Sequence, residues 1–67
     1  MQTAQLLELL YNGKTLNKEE SAVIFNAIMQ GKLNTEQIAA MLIALKVRGA
    51  TIDELSGAVS ASLQNAK

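Results

Sequence analysis

Three glycines, Gly13, Gly31 and Gly49, stand 18 residues apart, and three helix-start residues, Asn17, Asn34 and Thr51, follow them at intervals of 17. Each glycine closes an apolar-periodic stretch, where a left-handed residue without a Cβ ends a helix at least cost. Three residues beyond each start residue comes Glu20, Gln37 or Glu54. That spacing is the capping box, in which the cap side chain accepts from the third helical N–H and the acid or amide reaches back to the cap. The chain contains no proline, so nothing interrupts the segments between these marks. The pattern predicts an all-α fold: a compact bundle of four short helices over residues 3–12, 18–30, 35–48 and 52–65. Loops of a few residues make consecutive helices neighbours in space. The recurrence also admits a repeat protein, but the three segments differ in apolar pattern and read more simply as helices of similar length.

Size limits what these helices can hide. A chain of 67 residues and 7.2 kDa is one domain, and a domain of this size buries only about 60% of the surface its unfolded chain exposes, leaving roughly 4,100 Å² in contact with water. There is no cysteine to cross-link it, and with no histidine either, the usual zinc and copper ligand sets cannot be assembled. The same absences remove the imidazole acid–base relay and the thiolate nucleophile. Six basic residues balance six acidic ones. The cations are dispersed along the chain, and one tyrosine and one phenylalanine form no stacking platform, so no nucleic-acid footprint emerges. The longest apolar run, Ile38 to Leu45, has eight residues, far from the roughly 20 that cross a bilayer. The isolated glycines form no phosphate-binding loop. Lack of cysteine is compatible with a cytoplasmic setting.

The distribution of apolar side chains points to association. At 100° per residue the second helix is ordinarily amphipathic, with Ile24, Phe25, Ile28 and Met29 on one side. The fourth carries Ile52, Leu55, Val59 and Leu63 on one stripe, and Gly57, Ser60 and Ala61 on a side with little bulk. Gly57 is either a point of close backbone approach or a tolerated exposed glycine, since a mid-helix glycine costs roughly 1 kcal/mol against alanine. The third helix is apolar on both sides: a core stripe of Ile38, Met41, Leu42 and Leu45 is opposed by Ala40, Ile43 and Val47. The first adds Leu7 and Tyr11, an i,i+4 pair. A helix apolar all round is either central in its own bundle or shared with a partner. Leu7, Tyr11, Ala40, Ile43 and Val47 are therefore candidates for an interface between molecules or domains.

The acidic pairs Glu19–Glu20 and Asp53–Glu54 lie in first turns of helices, and Lys46 and Arg48 in a last turn, each where the helix dipole favours its charge. A second reading places Lys46, Arg48 and Gly49 at a cleft, steering a phosphate or carboxylate.

The succession Gly13-Lys14-Thr15-Leu16-Asn17-Lys18-Glu19-Glu20-Ser21, Ala27-Ile28-Met29-Gln30-Gly31-Lys32-Leu33, the run from Gln37 through Ala39-Ala40 to Lys46-Val47-Arg48-Gly49, and Glu54-Leu55-Ser56-Gly57-Ala58 resembles the N-terminal helical domain of the anthranilate phosphoribosyltransferases, in the group that also holds the pyrimidine nucleoside phosphorylases. It spans residues 6–62. The Gly57-Ala58 pair is closer to the former, while Ser60 to Gln64 lacks the methionine–arginine ending of many members. The resemblance implies a larger cytoplasmic enzyme of tryptophan biosynthesis that joins anthranilate to phosphoribosyl diphosphate with magnesium assistance. Residues 1–67 would be its N-terminal dimerisation-type domain, forming a homodimer through apolar helix faces and one wall of a cleft against a C-terminal α/β catalytic domain. The family's diphosphate loop lies in that later domain, so the resemblance carries over no catalytic, cofactor-binding or metal residue. The absence of a glycine cap after the fourth helix reads as a polypeptide that continues. Two alternatives are a stand-alone helical adaptor and the matching domain of a nucleoside phosphorylase.

Overall fold

A computed structural model describes residues 3–66 and contains four helices: α1 (Thr3–Tyr11), α2 (Lys18–Met29), α3 (Thr35–Arg48) and α4 (Ile52–Asn65). Their limits agree with the sequence pattern to within a residue because the punctuation forms as read. Gly13, Gly31 and Gly49 have φ of 76°, 73° and 91°. After α1 the amides of Gly13 and Lys14 donate back to the carbonyls of Leu10 and Leu9 at 3.0 and 2.9 Å, the paired bonds of a Schellman stop. All three capping boxes close reciprocally. At α2 the Glu20 amide donates to Asn17 Oδ1 at 2.8 Å and the Asn17 amide to Glu20 Oε1 at 2.9 Å.

Packing runs in the order α3–α1–α2–α4, with α2 against α4 the most extensive contact and none of comparable extent between α3 and α4. Leu6, Leu7, Leu10, Leu16, Ile24 and Met41 form the core, with Phe25, Ile28, Leu33 and Leu45 against it. Four helices in this order cannot enclose the outer two. The accessible surface is 4400 Å², slightly above the roughly 4,100 Å² expected of this mass.

The outer helices depart from the simplest reading of the sequence. On α4 the side with little bulk turns inward: Glu54, Gly57 and Ala61 are buried, whereas Ile52, Leu55, Val59 and Leu63 are exposed. The reason is backbone proximity. A Cβ built on Gly57 would lie 2.5 Å from the Lys18 carbonyl oxygen, 2.6 Å from Ser21 Cβ and 2.8 Å from the Ala22 nitrogen. Close approach, one of the two readings of Gly57, is the one realised. Beside it the Ser21 hydroxyl donates to the Glu54 carbonyl at 2.6 Å. On α3 only Met41 is fully buried, and Leu42, expected in the core stripe, is half exposed. The helix has one narrow inward stripe because α1 is its only extensive neighbour.

Candidate functional site

Two apolar surfaces remain open. The first is on α3, where Ile43 is 62% exposed and Val47 83% exposed, with Ala40 and Leu42 also exposed. Tyr11 is exposed on α1, the helix that packs against α3. Four of the five candidate interface residues therefore stay accessible on adjoining elements. Leu7 does not. At 3% exposure it belongs to the core, because α1 lies between α3 and α2 and buries Leu6, Leu7 and Leu10 together. The second surface is the α4 stripe, which borders an open groove lined by Lys18, Ile52, Leu55, Ser56, Val59 and Leu63. Contiguous exposed apolar patches on small domains mark sites of interaction.

The cleft-facing candidates separate. Lys46 and Gly49 are exposed, but Arg48 turns inward. Its Nη2 donates to Oε1 and Oε2 of Glu54 at 2.8 and 2.7 Å, and its Nη1 to the Gly49 carbonyl at 2.8 Å. An arginine committed to a buried carboxylate is not free to steer an anion, so Arg48 leaves the cleft set. Glu54, 2% exposed, also accepts from the Leu16 amide at 2.9 Å and the Thr51 amide at 2.9 Å. One carboxylate thus ties the α1–α2 loop, the end of α3 and the start of α4. Burial pushes its carboxyl up. The hydrogen bonds from Arg48, Thr51 and Leu16, with the Arg48 charge, outweigh that and hold it below the ordinary value of 4.5. The sequence shows Glu54 as a capping-box acid. Its long-range partner Leu16, 38 residues away, leaves no local signal.

This arrangement can hold helices and present apolar faces. Among the described residues no group of three or more His, Cys, Asp or Glu side chains stands together, and the carboxylate with the most partners is fully occupied.

The sequence matches the helical bundle domain of a glycosyl transferase family over residues 4–66. The chain belongs to this family. Among its relatives in the glycosyl transferase family, the anthranilate phosphoribosyltransferase of Haemophilus influenzae is 67% identical over the whole chain, which covers 20% of that protein. The protein of the same name from Histophilus somni is 52% identical over the same extent. That of Shewanella baltica is 50% identical over 62 residues, 92% of this chain and 17% of the relative. The chain thus spans about a fifth of the length of the curated relatives it matches. No helix of the described residues is long and apolar enough to cross a membrane.

Proposed function

We propose that this chain is the N-terminal helical domain of an anthranilate phosphoribosyltransferase, a cytoplasmic enzyme that transfers phosphoribosyl from phosphoribosyl diphosphate to anthranilate. The observation that carries the reading is 67% identity over the entire chain to an enzyme of that name. The domain's own work is association. It docks a second copy through Tyr11, Ala40, Ile43 and Val47, and supports a C-terminal α/β catalytic domain in which substrates and magnesium bind. No chemical step is assigned to the 67 residues. Their part is to bury apolar helix faces and hold the two domains at a cleft, with Lys46 and Gly49 at its edge. Support comes from the exposure of Ile43 and Val47 on a helix whose inward side is already satisfied by α1. Full burial of such side chains contributes about 1.5–3 kcal/mol each, which works against the ordering cost of association.

Two measurements test this. The natural polypeptide carrying this domain is expected to convert anthranilate and phosphoribosyl diphosphate to the phosphoribosyl adduct. Phosphorolysis of a pyrimidine nucleoside instead would assign it to the related phosphorylases, and a natural product ending at Lys67 would make it an adaptor. Sedimentation of that polypeptide should give a dimer, and Ile43→Asp with Val47→Asp a monomer. A wild-type monomer at roughly 10 µM, where an affinity of even 7 kcal/mol would populate the dimer, removes the association role.

A further inference from the structure

A second kind of chemistry is written at the end of α1. Asn12 is followed by Gly13, and the other four asparagines, Asn17, Asn26, Asn34 and Asn65, precede Lys18, Ala27, Thr35 and Ala66. In an Asn–Gly pair the following backbone nitrogen can attack the asparagine side-chain carbon with least hindrance, because glycine has no Cβ. The Gly13 nitrogen forms a bond to Asn12 Cγ, the bond from Cγ to Nδ2 breaks, and Nδ2 leaves as ammonia, taking up the Gly13 amide proton. Solvent water then opens the cyclic imide at either carbonyl, giving aspartate or isoaspartate. No oxidant or cofactor is required, and both residues are exposed to water.

The fold holds both reacting groups away from each other's chemistry. The Asn12 side-chain nitrogen donates to the Glu8 carbonyl at 2.8 Å, an oxygen that also accepts the Asn12 amide at 3.1 Å. The Gly13 nitrogen donates to the Leu10 carbonyl at 3.0 Å, and Lys14 closes the stop on Leu9 at 2.9 Å. Attack requires that these bonds open, and helix ends open locally at far lower cost than the whole domain. We propose that Asn12–Gly13 is a site of spontaneous deamidation gated by the C-terminal cap of α1. The product places a carboxylate at the negative end of the α1 dipole, which has no basic residue in its last turn, and isoaspartate lengthens the backbone inside the stop. Both oppose re-formation of the cap.

The test is peptide mapping with resolution of isoaspartate after incubation of the 67-residue chain at mildly alkaline pH, in buffer and in denaturant. Asn12 is expected to deamidate before the other four asparagines in both conditions, and about thirtyfold more slowly in buffer, the protection expected of two net hydrogen bonds. Lys14→Pro removes the donor to Leu9 while leaving Asn12–Gly13 unchanged, and should raise the rate in buffer about fivefold. Gly13→Ala should suppress the reaction in denaturant, where folding plays no part. Equal rates in buffer and denaturant with circular dichroism showing the chain folded in buffer, an unaltered rate in Lys14→Pro, or prior reaction at another asparagine would overturn the proposal.

Discussion

Replacing Glu54 by glutamine keeps the shape of the side chain and removes only its charge and one acceptor. In the native structure Oε2 accepts from the Leu16 amide and Oε1 from the Thr51 amide, each at 2.9 Å, while Arg48 donates to both oxygens. Whichever way the new amide is turned, its NH₂ faces a backbone N–H. One buried donor loses its partner, at about 1–3 kcal/mol, and Arg48 loses the charge that holds it. Breaking a buried ion pair from one side costs about 3–5 kcal/mol. Arg48 keeps 17% of its side chain in water, so the lower part of that range applies, about 3 kcal/mol. In a domain of this size that lowers the melting temperature by roughly 12–24 °C.

The pH dependence sharpens the prediction. The folded carboxyl titrates below 4.5, so its contribution is fully present above the unfolded pKa and is lost as pH falls through the lower folded value. The stability gap between wild type and Glu54→Gln is therefore constant above about pH 5.5 and narrows below pH 4.5, where the wild-type side chain also becomes neutral. Urea titrations of both proteins across this interval measure it directly. A variant within about 0.5 kcal/mol of wild type at neutral pH, or a gap that stays constant on acidification, would refute the account of Glu54 as the charged tie between three segments.

Gly57→Ala gains roughly 1 kcal/mol of helix propensity but forces a Cβ onto the backbone of Lys18 and Ala22, an overpacking cost of about 3 kcal/mol. A net loss of about 2 kcal/mol should appear in denaturant unfolding, and a stabilised variant would show that the α2–α4 crossing yields easily. The exposed stripe of α4 predicts the reverse. Leu55→Lys with Val59→Lys should leave the isolated chain within about 0.5 kcal/mol of wild type per site, as read by thermal unfolding, whereas a loss of several kcal/mol would place that stripe in the core.

Helix limits were legible because they depend on local chemistry. A left-handed glycine, a cap side chain and an acid or amide three residues on lie within one or two turns of one another, and no distant part of the chain is needed to satisfy them. Amphipathic α2 was legible only in part: Ile24 is buried and Phe25 and Ile28 pack against the core, but Met29 is exposed, and Ser21 and Ala27 are buried in its place because α2 packs most extensively against α4. Of the candidate residues, Tyr11, Ala40, Ile43 and Val47 remain accessible, while Leu7 is buried and Arg48, partly exposed, is tied to Glu54. Periodicity places Leu7 and Leu6 on neighbouring sides of α1 but does not say that α1 lies between two other helices and buries both.

On α4 the sequence by itself determined a helix with two usable sides, one bulky and apolar, the other small. Which side faces inward was decided only in three dimensions. Gly57 lets two backbones meet, Ser21 reaches the Glu54 carbonyl, and the Glu54 carboxylate finds an amide 38 residues away. Helix starts and stops are short-range and can be written into neighbouring residues. The choice of buried face depends on contacts between residues far apart in the chain, and those contacts exist only once the other helices are in place.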